Sequence, residues 1–284
     1  MALQTTTIAV RDYDLAATLG CGQAFRWEKH GETWTSVVQG RRVELRQRGN
    51  RIAVRCAVAQ ANWDWLVDYL QIRTDLAAIL ATFPDDEPMR HAVTQCRGLR
   101  LLRQEPWECL ASFILSSTKQ IVQIRQIIRH LCERHGHRVA APADTPPAFA
   151  FPTAEQIAAL SETQLRACKM GFRAPYLLGT ARAVATGEID LEKLRALPLD
   201  AARAKLIELP GVGRKIADCV LLFGYGFDGA FPIDVWVLRA LRELYFSGRK
   251  VNARRIEKFA ATHFGPHAGY AQQYLFHYMR TKIK

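Results

Sequence analysis

Leu209-Pro210-Gly211-Val212-Gly213-Arg214-Lys215-Ile216-Ala217-Asp218-Cys219 is the stretch on which the reading of this chain turns. It lies between two segments of helical period, about 200–208 and 214–223. Glycines one residue apart take backbone angles denied to other residues, so one helix can turn back tightly into the next. Such a turn leaves bare N–H groups at the start of the second helix. Those donors and the helix dipole together favour an anion. A nucleic-acid phosphate would dock on Gly211, Val212 and Gly213 without any reading of bases. A plain connector uses the same turn. The basic pair Arg214-Lys215 that follows favours the anion site.

Charge supports that choice. Of a net +12, most sits at the C-terminal end, where residues 201–284 carry 14 Lys/Arg against 6 Asp/Glu. A basic surface of this kind attracts polyanions, nucleic acid above all. No apolar run approaches the roughly 18 residues of a membrane span. The first ten residues lack the basic start and apolar block of a secretory signal. Seven cysteines, at 21, 56, 96, 109, 132, 168 and 219, form no Cys-x-x-Cys pair and no even set. Wide spacing and an odd count suit free thiols in a reducing compartment. The expected place is therefore cytoplasmic, in the nucleoid or nuclear, and not secreted.

The periodicity divides the chain. Residues 33–39, 41–47 and 51–57 are short runs rich in Val, Ile, Thr and Trp, punctuated by Gly40 and Gly49-Asn50, as hairpins require. Residues 1–10 read as an extended lead-in strand. From about Asn62 the period becomes helical. A long stripe from Glu108 to Cys132 is interrupted at Ser116-Ser117-Thr118, which predicts two helices. Four prolines between Pro142 and Pro152 mark a loop, and everything beyond Thr153 reads helical. The expected fold class is α+β: a small N-terminal antiparallel β-sheet domain, with flanking helices, over 1–100, then a large all-helical domain over 101–284. Helices of the first domain are free to pack with the C-terminal segment.

Several residues can carry chemistry. Lys215 falls in the first turn of a helix, where the dipole and partial burial both disfavour a charged ammonium. A neutral amine is a nucleophile for carbon; a phosphate-contacting lysine suits the same place. Asp234, in Phe231-Pro232-Ile233-Asp234-Val235, precedes a predicted helix over 235–244. It can cap that helix and also face a centre that gains positive charge. Lys215 and Cys219 are four apart on one helix, and so are Gln272 and Phe276 on the last, so each pair shares a face. An amide can read the edge of a base and a ring can stack on it. Cys219 and Phe276 also suit plain core packing.

The run 209–219, followed by the segment ending in Asp234, resembles the helix–hairpin–helix superfamily of DNA glycosylases that closes on a Gly/Pro-rich loop and an Asp. Gly22-Gln23-Ala24-Phe25-Arg26-Trp27 and Gly269-Tyr270-Ala271-Gln272 are similar to its 8-oxoguanine branch. The resemblance covers nearly the whole chain. It implies that the helical domain over 101–284 is of the helix–hairpin–helix kind, and a bifunctional glycosylase/AP lyase acting in base excision repair. Lys215 would attack the sugar C1′, displace the base and leave a Schiff base that permits strand cleavage, with Asp234 essential to excision. It implies that Gly22 offers a backbone carbonyl to the N7 hydrogen of an oxidised guanine, while Gln272, Phe276 and Cys219 surround the flipped base. On residues alone, Gly22 reads as a turn glycine.

The same resemblance implies an opposite-strand reader set of Thr118, Gln123, Phe172 and Arg173. Here the chain departs from the eukaryotic pattern. Thr118 stands for an Asn, Gln123 for an Arg and Phe172 for a Tyr wedge, while Arg173 is retained. Trp236 replaces a phosphate-contacting His. The implied partner is double-stranded DNA containing a damaged purine, bound by a monomer. No cofactor or metal is expected beyond a monovalent cation that the family places on the hairpin. No cysteine follows position 219, so the iron–sulfur cluster of related enzymes cannot form there. Two alternatives stay open: a monofunctional alkylated-base glycosylase, and a non-catalytic helix–hairpin–helix DNA-binding protein.

Overall fold

The computed structural model describes residues 3–117, 120–142, 145–249 and 251–282. Five antiparallel strands form the N-terminal sheet: β1 Gln4–Ala9, β2 Glu28–His30, β3 Thr33–Val38, β4 Arg41–Arg48 and β5 Arg51–Cys56. Their spatial order is β1-β5-β4-β3-β2. The lead-in strand thus pairs with the last strand, Thr6 opposite Val54. In β5 burial alternates strictly, with Ile52, Val54 and Cys56 inward, which is the period-2 pattern of a sheet with one wet face. That face packs on the helices Leu15–Gly20 and Asp64–Tyr69, around Leu19, Trp27, Leu45, Leu66 and Leu70.

A second, larger core holds the helices. Pro106–Leu115 and Ile121–His135 form on either side of the Ser116-Ser117 interruption. Pro106–Leu115 is buried along its whole length apart from Glu108, as a central helix surrounded by others must be. Helices Leu76–Leu80 and Glu87–Gln95 come from the first hundred residues but bury Leu76, Ile79, Met89 and Ala92 in this helical core. There Glu87–Gln95 lies against the last helix, Ala268–Lys282. The predicted fold class, antiparallel sheet followed by a helical domain, is the one observed. One reading needs correction. The Pro-rich stretch is not loop throughout: β7 Ala148–Phe149 pairs with β6 Arg138–Val139 as a short ribbon. Two-residue strands are too short to impose a period on the sequence.

A buried amide ties the loop after the first helix to residues 100–102. Gln23 is almost wholly buried, and its Nε2 donates to the carbonyls of Thr18 and Arg100, both at 2.8 Å. Its Oε1 accepts from Leu102 N at 2.8 Å. Every capacity of that side chain but one is spent on backbone, so the loop carrying Gly22 is held against residues 100–102. Phe25 then packs edge-on to Phe113, and the Trp27 indole donates to Tyr69 at 2.9 Å.

Candidate active site

The hairpin joins helix Leu199–Ile207 to helix Arg214–Val220, after which five residues, Leu221–Tyr225, continue in the wider π form. Arg203 on the first helix donates from Nε to Asp218 on the second at 2.6 Å and also pairs with Asp200. Both members of the Arg203–Asp218 pair are buried, so truncating either would strand a charge. The two glycines do different work. Gly211 has φ +75°, and a Cβ there would stand 2.7 Å from Tyr176 Cβ. Gly213 has an ordinary extended conformation, φ −92°, and a Cβ would meet nothing within 4 Å. Only the first is a backbone requirement; the second leaves open space before the helix start. Val212 is buried and its N–H donates to Leu209 O at 3.1 Å, so it closes the turn rather than offering a donor to a phosphate.

This separates two substitutions. Gly211→Ala is expected to lower stability by about 1–3 kcal/mol, from strain at positive φ and the Tyr176 overlap. Gly213→Ala is expected to leave the melting temperature within error and to weaken duplex binding, because its methyl projects into the phosphate's approach. Thermal melts beside DNA titrations read the two effects. Equal melting temperatures for both variants would contradict this division.

Lys215 is half-buried. Its Nζ lies 3.4 Å from Ser116 Oγ and 5.2 Å from the centre of the Phe113 ring. Ser116 follows helix Pro106–Leu115 and donates its own hydroxyl to Phe113 O at 2.7 Å, which leaves its lone pairs towards the amine. Cys219, one turn on from Lys215, is buried. Burial pushes its thiol up to about 12, with the Lys215 charge opposing and the Asp234 charge adding to the rise. At neutral pH it is therefore an uncharged thiol.

Asp234 caps helix Val235–Tyr245, its Oδ1 accepting from Trp236 N at 3.0 Å and Val237 N at 2.8 Å. One oxygen is thereby fixed, and Oδ2 accepts no hydrogen bond from the described residues. The last helix, Ala268–Lys282, carries two more of the expected residues. Gln272 is buried, and its Oε1 finds no hydrogen-bond partner among the described residues. A buried, unsatisfied acceptor costs about 1–3 kcal/mol. Phe276, one turn later, approaches Gly22: a Cβ on Gly22 would lie 3.5 Å from Phe276 Cε1 and 3.1 Å from Ile121 Cδ1. Gly22 has φ +90°, so it is a turn glycine as well as a place of close approach.

The opposite-strand set is placed less simply. Phe172 projects from the turn Gly171–Arg173, 54% exposed, with Tyr176 edge-on to it. Arg173 is 1% exposed, its guanidinium 4.2 Å from the Phe172 ring centre; it is folded inward beneath the exposed ring. The Gln123 Oε1 accepts from Gln120 N at 3.2 Å, closing the start of its own helix. Thr118 lies outside the described residues. Among the described residues no group of three His, Cys, Asp or Glu side chains comes together in a way that could hold a metal.

Sequence reasoning passed over three residues. Ser116 was read only as a helix interruption, and Gln23 only as part of a motif. Arg280 was not singled out, although it continues the four-residue spacing of Gln272 and Phe276.

Comparison with known proteins places nearly the whole chain. Residues 6–110 match the family model for the 8-oxoguanine DNA glycosylase N-terminal domain, and 111–266 that of HhH-GPD superfamily base excision DNA repair proteins. The probable N-glycosylase/DNA lyase of Methanothermobacter thermautotrophicus is 31% identical, over 96% of this chain and 95% of its own. The structure of MBOgg1 with a low-affinity DNA ligand superposes with a TM-score of 0.93, at 31% identity and covering 100% of both chains. The Clostridium acetobutylicum 8-oxoguanine glycosylase/lyase, bound to duplex with cytosine opposite 8-oxoguanine, superposes at 0.90 and 28% identity, covering 98% of this chain and 99% of its own. With its glycine hairpin, capping Asp and Gly22 loop all in place, the chain belongs to the HhH-GPD superfamily of base excision DNA repair proteins and carries the N-terminal domain of the 8-oxoguanine DNA glycosylases.

Proposed function

We infer that this protein is a bifunctional DNA glycosylase and AP lyase that excises 8-oxoguanine from duplex DNA. The observation that carries the reading is one arrangement. The half-buried Lys215 amine stands just past the glycine hairpin, its Nζ 3.4 Å from Ser116 Oγ, on the helix that also carries the buried Cys219, while the buried Gln272 Oε1 has no hydrogen-bond partner among the described residues.

The hairpin N–H groups take a backbone phosphate and fix the register of the duplex. The damaged nucleotide leaves the stack, with the exposed Phe172 as the wedge beside it. Lys215 attacks C1′. The glycosidic bond breaks with its electron pair on the base, which leaves with a proton. The unbound oxygen of Asp234 faces the sugar while that carbon is electron-poor. Loss of a proton from nitrogen and opening of the sugar ring leave an imine. The imine acidifies C2′, and elimination expels the 3′ phosphate. Gly22 accepts from N7–H of the oxidised base, a hydrogen that guanine lacks. Gln272 pairs with the Watson–Crick edge, and the ring of Phe276 stacks on the base. We further infer that the enzyme works as a monomer, since these groups come from one chain, and that it acts where genomic DNA lies, in nucleoid or nucleus.

The test is cleavage of labelled duplexes bearing one 8-oxoguanine against each of the four bases, with and without borohydride. Excision with a trapped covalent species is expected. Because Gln123 caps its own helix, discrimination against bases other than cytosine is expected to be weak, within about tenfold, the worth of one or two hydrogen bonds. A preference for cytosine of a thousandfold would show that other groups read the partner strand. No excision and no trapped species, from folded protein that binds DNA, would move the reading to alkylated bases or to a binding module.

A further inference from the structure

We propose that Arg280 is a positioning residue for recognition of the oxidised base, tying the peptide that orients the Gly22 carbonyl to the ring on which the base stacks. The proposal rests on the Gly22 and Phe276 roles above. Arg280 stands one turn beyond Phe276 on helix Ala268–Lys282, so it continues the face that carries Gln272 and Phe276. Its Nη1 donates to the Cys21 carbonyl at 3.1 Å. Its guanidinium lies 5.2 Å from the centre of the Phe276 ring, within reach of a cation–π attraction. The same Nη1 is the atom a Cβ on Gly22 would meet first, at 2.8 Å.

The Cys21 carbonyl and the Gly22 N–H belong to one rigid peptide plane. At φ +90°, glycine is the residue least able to hold its own direction. Holding that plane anchors one end of the Gly22 linkage, from which the next carbonyl, that of Gly22, projects, while the Gln23 side chain anchors the other. Two donors hold the plane: Arg280, and Gln273 Nε2 at a longer 3.4 Å. The Arg280 bond is charge-assisted and the stronger kind. Sensing a single hydrogen on N7 demands placement within about 0.5 Å, and Arg280 supplies it for carbonyl and ring together. The position is not an easy one for a cation: burial and the neighbouring Arg125 charge both disfavour it, against attraction from Asp234.

The full-length protein, Arg280→Leu and Arg280→Lys would be compared in two single-turnover assays. One follows base excision from an 8-oxoguanine:cytosine duplex. The other follows strand cleavage at a preformed abasic site, which presents no base to recognise. Excision by Arg280→Leu is expected to fall roughly 10- to 100-fold, the loss of one hydrogen bond to a charged group. Abasic cleavage is expected to fall less than about threefold, and Arg280→Lys to recover part of the excision rate. Unchanged excision would overturn the proposal. So would excision and abasic cleavage falling in step in both variants, which is what a merely structural brace would do. A wild-type protein that cleaves abasic sites but leaves 8-oxoguanine in place would sink the oxidised-purine reading itself, visibly before any variant is made, and the proposal with it.

Discussion

Replacing Lys215 by Gln is expected to abolish the borohydride-trapped complex and to lower both excision and strand cleavage by on the order of a thousandfold or more. Glutamine keeps most of the length and can still donate to Ser116 Oγ, the partner of Nζ at 3.4 Å. It can also still lie against Phe113, so packing changes little. What it lacks is a lone pair able to attack C1′. The alternative role, a lysine contacting phosphate, predicts a different pattern. Losing one phosphate contact weakens binding and reduces its salt dependence, at equal cost on damaged and undamaged DNA. Trapping at saturating enzyme would then survive. Measuring trapping yield and duplex affinity on the same variant separates the two. A trapped species in Lys215→Gln would remove the lysine from the chemistry.

The parts of the fold visible in the sequence are those set by local rules. The hairpin is legible because two glycines and a helical period on each side lie within a dozen residues. The Asp234 cap is legible because capping is settled by a side chain and the N–H groups two or three residues on, and the observed bonds run to Trp236 and Val237. The antiparallel sheet shows in the alternation of β4 and β5 and in the glycines between strands.

What stayed hidden depends on contacts between distant segments. Gln23 bonds to Arg100 O and Leu102 N, nearly eighty residues away, and no pattern near residue 23 announces that. The helical period from about Asn62 is legible, but that Leu76–Leu80 and Glu87–Gln95 join the helical core is set by distant segments, the last helix of the chain among them. The inward fold of Arg173 and the self-capping of Gln123 are rotamer choices, decided by neighbours rather than by residue type. Gly213 shows the converse: its residue type suggested a backbone need that its observed angles do not have.

Asp234→Asn is expected to lower the excision rate about 10²- to 10³-fold, the usual cost of losing one well-placed group that stabilises developing charge, while leaving the fold intact. The reasoning uses the double life of this residue. Its Oδ1 closes helix Val235–Tyr245 through two N–H bonds, and asparagine caps a helix about as well as aspartate. The amide therefore keeps the cap and removes only the negative charge. That charge opposes ionisation of the Cys219 thiol beside the lysine and favours the Arg280 cation beside Gly22, each as a lesser influence than burial. Asp234→Ala removes both functions and should add a stability loss of about 1 kcal/mol, visible as a lowered melting temperature that Asp234→Asn does not show. If the Asn variant excised at the wild-type rate, the carboxylate would be a cap and nothing more. If it lost activity only together with stability, the charge would have no separate role. Activity lost at constant melting temperature is the outcome that assigns the free oxygen of Asp234 to the sugar.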